Sequence, residues 1–390
     1  MAATNSNPPT SSRAATKAKA RKIDGRRADL SRPAADRPRQ VSLRDVAREA
    51  DVSVATVSMV LNENPRISRG TQQRVRQVMK KLGYQPNRLA QSLSGKHTHV
   101  LAVLLPALRH AFADAYFGEL LSGISDAAHR LGWKVLLEQA KPDYIAAGKH
   151  VELFERRYVD GMLLLGTSDS QAYLSDLQDI HCPAIVVNNR LRLPDDPETY
   201  VECDHVVCDY AGGAQQALNY LTQLGHRRIG LISAAPDIAT AWEIRQTWQA
   251  ALEKVGAEPT DAWIADGQYT EEGGAAAARK LVRSDIPFTA MLAMNDKMAM
   301  GAMSFLNHKG IKVPGQISVV GFDDLRHAAF VNPALTTIRL PLYDVGLTSC
   351  KRLIEKIKGK TTPVADVLDT HLIVRESTAM AEAEASPKSQ

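Results

Sequence analysis

Residues 41–61 read VSLRDVAREADVSVATVSMVL, a pattern of two short helices joined by a tight turn. Ser42 is placed to cap the first helix, with Asp45 three residues on as its capping-box partner near the positive helix end. Leu43, Val46, Ala47 and Ala50 fall at i, i+3, i+4 and i+7 and share one apolar face. Asp51, Val52 and Ser53 break that pattern, and Ser53 caps a second helix over 54–61 whose apolar face is Val57, Val60 and Leu61. Val54, Ala55, Thr56, Ser58 and Met59 then point away from the small core. In a helix-turn-helix that outward face meets bases and phosphates. The same geometry also arises as ordinary packing of two helices, and this stretch alone leaves both readings open.

Its neighbours decide between them. Residues 62–67 form a loop, Ser68 caps a third helix with Val75, Val78, Met79 and Leu82 on one face, and Gly83 ends it. Arg66, Arg69, Arg74, Arg76, Lys80 and Lys81 give this small helical domain basic flanks. Pro86 stops any continuation, and Asn87 caps a further helix only two turns long, which needs a partner to stay folded. Residues 1–39 are rich in Ala, Ser, Pro and Arg and hold almost no large apolar residue, so a disordered basic tail is expected. Such a tail either adds salt-sensitive phosphate attraction or is a solvated extension, even the product of a misassigned start codon.

Composition bounds the rest. A chain of 390 residues with 44% hydrophobic content makes two or three folded domains. The net charge of +5 is unevenly spread: the first 97 residues carry twenty Lys/Arg against seven Asp/Glu, a surplus of +13, and the remainder sums to −8. A basic head on an acidic body is the electrostatic footprint of a DNA-binding module joined to something that does not bind DNA. Cys182, Cys203, Cys208 and Cys350 are scattered without a CxxC pair, so neither a disulfide framework nor a zinc site is indicated. No apolar run of about 18 residues is present, nor the apolar core of a signal peptide, and a bacterial cytoplasmic, nucleoid-associated protein with no membrane partner is expected.

From Thr98 onward short apolar strands alternate with amphipathic helices. Strands are expected at 99–105, 134–138, 161–165 and 184–187, with helices at 118–131 and 147–157 between them. The pattern restarts with helix 210–224, strand 228–233, helices 243–255 and 273–282, strand 290–294, helix 297–309 and strand 318–322. Such alternation argues two doubly wound parallel sheets, hence two lobes with a cleft facing the carboxyl ends of the strands, where small ligands sit. No P-loop, GxSxG elbow, HExxH or Cys/His ligand spacing occurs, and His226 in LGHRR lies at a turn, so neither an enzyme nor a cofactor is expected.

Several of these segments together carry a resemblance. VSLRDVAREADVSVATVSMVLN, RIS and LGYQPNRLAQSL resemble the LacI/GalR family of bacterial transcription regulators, and YVDGMLLL, LGHRRIGLI, MLAMNDKMAMGAM, ISVVGFDD and NPALTTI resemble that family's periplasmic-binding-protein-like core. The implied class is α/β: an all-α helix-turn-helix domain (40–86) and a hinge helix with linker (87–97), followed by a two-lobed effector-binding and dimerisation core (98–378) and a disordered C-terminal tail (379–390). The resemblance also implies that residues 333–344 cross between lobes, that 342–358 return to the first lobe, and that 367–375 add a last strand to the second.

Functional positions follow the same resemblance. Val54, Ala55 and Met59 match base-reading positions, while Ser53, Thr56, Ser58 and Asn62 look placed for phosphates. Ser42, Leu43, Asn87 and Ala90 join them at the DNA, and Leu93 matches the family's leucine wedge into the minor groove at the central base step. Met59 departs from the Arg that relatives commonly carry there: Arg reads guanine bidentately, whereas Met offers only apolar contact, as to a thymine methyl. In the cleft, Tyr116, Phe117, Asn188 or Asn189, Arg245, Asn295 and Asp323 match effector-contacting sites, a hydrogen-bonding set suited to hydroxyl-bearing ligands. Asp296, directly before a helix, is expected to cap it instead. Ala239 and Ala241 stand where purine-responsive relatives place polar contacts, so a sugar or sugar derivative is the expected effector. The implied partners are operator double-stranded DNA, that effector and a second copy of the chain. The C-terminal TAMAEAEASPKSQ has no leucine heptads, which favours a homodimer over a tetramer.

Overall fold

Local chemistry sets the first helices as expected. In the computed structural model, which describes residues 41–61, 64–84, 97–107, 111, 114–167, 173–193, 196–234 and 238–381, α1 spans Leu43–Glu49 under a complete Ser42–Asp45 capping box. Helix α2 spans Val54–Leu61 behind Ser53, whose hydroxyl accepts the Thr56 amide at 3.0 Å. Helix α3 spans Arg69–Leu82, capped by Ser68 and closed by Gly83 at φ 64°, a left-handed conformation that suits glycine. Val46, Ala47, Ala50, Val57, Val60 and Val75 are buried where the three helices meet, and Leu43, Leu61, Val78, Met79 and Leu82 pack around them.

The chain divides into two compact units, residues 1–91 and 92–390. The second contains two six-stranded sheets. The first lobe is built from β1 (Val100–Pro106), α4 (Ala115–Arg130), β2 (Lys134–Ala140), α5 (Pro142–Ala146), α6 (Lys149–Glu155), β3 (Gly161–Leu165), α7 (Tyr173–Asp179), β4 (Ala184–Val187), a small hairpin of β5 (Arg192–Leu193) and β6 (Asp196–Tyr200), and β7 (His205–Cys208). The second lobe follows as α8 (Tyr210–Gln223), β8 (Ile229–Ser233), α9 (Ala239–Lys254), β9 (Ile264–Asp266), α10 (Glu271–Val282), β10 (Ala290–Ala293), α11 (Asp296–His308), β11 (Ser318–Asp323) and β12 (Thr336–Arg339). Helix α12 (Leu342–Ile357) and β13 (Ala365–Leu368) return to the first lobe, and β14 (His371–Ile373) ends in the second.

Strand order is β13-β7-β4-β3-β1-β2 in the first sheet and β14-β12-β11-β10-β8-β9 in the second. Every pairing in them is parallel except β14 against β12. Central strands such as β1, β3, β8, β10 and β11 are buried along nearly their whole length, which is why they read as unbroken apolar runs. Glycine lets α12 lie close on α4: a Cβ at Gly123 would sit 2.0 Å from the Tyr343 carbonyl oxygen, and one at Gly346 2.1 Å from that of Leu120.

Four expectations need correction. The helix expected over 147–157 is the shorter Lys149–Glu155, beginning after Gly148 at φ 62°, and a separate short helix that was not expected, Pro142–Ala146, precedes it. Residues 333–344 are not all crossover, because Thr336–Arg339 pair with β11; the chain leaves the second sheet only after Arg339. The single strand expected at 367–375 is two, with Val367 and Leu368 paired to β7 of the first sheet and only His371–Ile373 joining the second. Between them Asp369 and Thr370 cross the lobes, and the Thr370 hydroxyl donates to the Asp209 carbonyl at 3.0 Å, tying one crossing to another. Finally, residues 379–381, expected in a disordered tail, are fastened to the second lobe: the Ala379 amide donates to Ser318 Oγ at 3.0 Å and the Ala381 amide to the Leu224 carbonyl at 2.8 Å. Strands β7 and β9 and the β5–β6 hairpin are further elements that the alternation did not reveal.

Candidate functional site

On the first unit, burying Val57 and Val60 turns the opposite side of α2 outward. Val54 and Met59 are 43% and 36% exposed, large apolar side chains left in solvent on one short helix. Ser53 and Ala55 are exposed beside them, and Thr56 and Ser58 are half-buried. The Thr56 hydroxyl is 2.9 Å from that of Ser53, so both share the cap. Leu43 is half-buried against the three-helix core rather than presented outward, and the Ser42 hydroxyl donates to Asp45 Oδ2 at 2.7 Å. Arg44, Arg66, Arg69, Arg74 and Lys80 of the same unit are exposed as well. Asn62, Asn87, Ala90 and Leu93 lie outside the described residues.

In the second unit the carboxyl ends of the two sheets face each other. Asp114 caps α4 of the first lobe and accepts from Lys297 Nζ of the second at 2.6 Å, and the Tyr210 ring stacks on Phe322 at 6.3 Å. Tyr116, Asn188 and Asp323 come together there with two residues that sequence reasoning missed, Cys208 and Tyr210. Asn188 Nδ2 donates to the hydroxyls of Tyr116 (2.8 Å) and Tyr210 (2.9 Å), while its Oδ1 accepts the Cys208 amide at 2.9 Å. Its hydrogen-bonding capacity is thus taken up by the protein. Burial pushes the Tyr116 and Tyr210 hydroxyls and the Cys208 thiol well above their ordinary ranges, so all three stay neutral donors. Asp323 is buried at φ 109°, and burial, reinforced by the charges of Asp296 and Asp114, raises its carboxyl well above the usual range.

The other candidates separate. Asn189 is only 3% exposed; its Nδ2 donates to the Thr167 carbonyl at 2.6 Å, but its Oδ1 is buried with no partner among the described residues. An unanswered acceptor at a strand end is the feature a ligand hydroxyl would satisfy. Phe117 is buried in the core, edge-on to Tyr116 with ring centroids 5.1 Å apart. Asn295, not Asp296, caps α11, its Oδ1 accepting the Met298 amide at 2.8 Å. Asp296 is instead fully buried, accepting from the Leu325 amide at 2.8 Å and the Thr337 hydroxyl at 2.5 Å, and burial pushes its carboxyl up to about 7. Arg245 pairs with the exposed Asp261 at 2.7 Å and lines, with Ser233, Trp242 and Asp266, a pocket of about 270 Å³ on the second lobe.

A helix-turn-helix unit and a two-lobed cleft in one chain find their match in two family models. "Bacterial regulatory proteins, lacI family" matches residues 42–87, and "Periplasmic binding proteins and sugar binding domain of LacI family" matches residues 98–376. The chain belongs to the LacI family.

LacI-family relatives resemble it over nearly their full length. The HTH-type transcriptional regulator CelR of Thermobifida fusca is 31% identical, covering 88% of this chain and 99% of that protein. The HTH-type transcriptional repressor CytR of Escherichia coli K12 is 30% identical, over 86% of this chain and 96% of its own. Among solved structures, a lac repressor dimer bound to operator and the anti-inducer ONPF matches with a TM-score of 0.75 at 27% identity, covering 87% of this chain and 99% of that one. A CelR–cellobiose complex matches with a TM-score of 0.66 at 30% identity, covering 87% and 100%. LacI-family membership makes the chain a helix-turn-helix transcriptional regulator with a sugar-binding type of domain, and the relatives named are regulators rather than enzymes. Among the described residues no helix is long and apolar enough to cross a membrane.

Proposed function

We propose that this chain is a repressor that binds a pseudo-palindromic operator as a homodimer in the bacterial cytoplasm, and that a sugar or sugar derivative in the interlobe cleft sets its affinity for DNA. The observation that carries the reading is the pairing of an outward apolar face on α2 with a cleft holding a buried, unanswered acceptor on Asn189. Val54, Ala55 and Met59 read bases by apolar contact; Ser53, Thr56 and Ser58, with Ser42 and Asn62, fix register on phosphates. Asn87, Ala90 and the Leu93 wedge act at the operator centre. Tyr116, Asn189 and Asp323 line the effector site, whose neutral donors and unanswered Asn189 acceptor suit hydroxyl groups better than a charged ligand. Asn188 orients the two tyrosines, and Arg245 contacts the ligand only if it leaves Asp261.

A second copy docks on the second lobe. Phe330, 77% exposed, stands beside a groove of about 640 Å³ lined by Met300, Met303, Ile311, Val313 and Val331, an apolar knob and hollow on one face that suits a self-complementary two-fold contact. Effector and operator are linked reciprocally: each changes the affinity for the other by the same factor.

Gel retardation with the chain's own upstream region, alongside calorimetry with a panel of mono- and disaccharides, sugar acids and nucleobases, tests this. Binding of a sugar that shifts operator affinity is expected; nucleobase binding with every sugar inert overturns the effector class. Sedimentation of Phe330→Asp as a monomer is expected, and an unchanged dimer overturns the docking face.

A further inference from the structure

The cleft's rim holds a set of lobe-to-lobe contacts that the effector and DNA roles leave unused. Between β4 and β7, Leu191 and Val201 root the β5–β6 hairpin in the first lobe: Leu191 is buried in that lobe's outer core, and the Val201 amide donates to the Leu191 carbonyl at 2.7 Å. From this root Arg190 and Tyr200 both reach Glu243, at the start of the second turn of α9 on the second lobe. Arg190 Nη2 donates to Glu243 Oε1, and the same oxygen accepts the Tyr200 hydroxyl at 2.7 Å. The Arg190 guanidinium lies 3.8 Å over the Tyr200 ring, and that of Arg192, next to it, is 5.3 Å from the Trp242 ring. Glu243's side chain is 12% exposed and that of Arg190 34%, so the pair is partly shielded from water and stronger than an open surface pair.

These contacts converge on two adjacent residues, Trp242 and Glu243. They exist because α9 begins at Ala239, a turn earlier than the sequence pattern indicates. A hairpin rooted in one lobe and joined to the other, among the described residues, through side chains can break and re-form that contact without disturbing either sheet.

We propose that the described arms of this hairpin, residues 190–193 and 196–201, form a strap across the mouth of the cleft and that Glu243 is its latch, released when the lobes part for the effector and remade when they close. The proposal rests on the reading that the effector occupies this cleft. Removing the Glu243 charge leaves Arg190 and the Tyr200 hydroxyl only a weaker, neutral acceptor to share, and the open population rises. The strap thereby sets how readily the site is entered.

Hydrogen exchange of the full-length, ligand-free protein, followed by mass spectrometry, tests the latch. In Glu243→Gln, exchange in residues 190–201 is expected to rise about tenfold, with residues 43–82 and α12 unchanged. Arg190→Gln gives the same rise from the other lobe, which guards against a folding defect peculiar to one variant. The double charge swap Arg190→Glu with Glu243→Arg restores exchange to within about twofold of the parent. Unchanged exchange in 190–201 in both single variants overturns the proposal, and so does a rise spread evenly over the second unit, because Glu243 is then a prop of the fold. No effector enters this measurement, so a failed sugar panel leaves its result standing, and a failed latch leaves the sugar reading standing.

Discussion

Helix α2 and the cleft floor place functional side chains in opposite surroundings. Val54 and Met59 on α2 are 43% and 36% exposed, and the fold asks nothing of them. Asn188, Asn189 and Asp323 in the cleft are 3%, 3% and 7% exposed, and most of their polar atoms already hold the protein together. The face of α2 proposed to read DNA is therefore free to change its specificity with little change in stability. The cleft is not: a substitution there acts on fold and ligand at once, and recognition is left to the few atoms the fold does not use.

The largest effect that would break this contrast is at Asn188. Asn188→Ala strands the Cys208 amide and removes the donor shared by two buried tyrosine hydroxyls, and a loss of roughly 2–4 kcal/mol is expected in denaturant unfolding of the second unit. A loss below about 0.5 kcal/mol would place Asn188 with the residues available to ligand.

Next in size is the pH response of the buried carboxyls. Asp296 has its folded-state value raised to about 7 from an ordinary 3.8. Between these values the folded chain keeps a proton that the unfolded chain releases. The Asp296 contribution to stability therefore falls as pH rises from about 4 to 7 and is constant above that. Asp296→Asn, neutral throughout, is expected to flatten this slope in denaturant midpoints taken across the window, with Asp323 retaining the remainder. A slope of unchanged steepness contradicts the burial argument.

Smaller again is the cap on α1. Ser42→Ala removes the hydroxyl from a complete capping box and is expected to destabilise the helical unit by about 1 kcal/mol, read from its own unfolding transition. The smallest effect on stability belongs to Met59→Arg, within about 0.5 kcal/mol of the parent. Selection from random DNA is nevertheless expected to recover a half-site with a guanine where the parent prefers thymine. An identical half-site for both proteins removes Met59 from the reading of sequence.

Legibility followed the range of the interactions. Capping box, helix limits and buried face of the first unit all rest on neighbours within a few residues, so VSLRDVAREADVSVATVSMVL contained them. Buried parallel strands were also plain, as apolar runs. The cleft was legible as a list and not as an arrangement. Asn188 and Asn189 look alike at a strand end; what separates them is the direction each points, with Asn188 at φ 54° turned to the tyrosines and Asn189 to Thr167. Arg245 and Asp261 meet only because a turn brings residues sixteen apart together, and Asn295 displaced Asp296 as the cap because Asp296 had distant partners in Leu325 and Thr337. Glu243 gave no local sign, since its partners belong to the other lobe.

The repeated crossing of the chain between lobes also bears on how the protein is made. Strand β13, which completes the first sheet, and helix α12, which covers its strands, come from residues 342–368, after the whole of the second sheet except β14. On the ribosome the three-helix unit is finished once Leu82 has emerged, while the sensor waits for nearly the last of its residues. A nascent chain thus holds a folded DNA reader long before it has anything to govern it, and a truncated message would release the reader without its control.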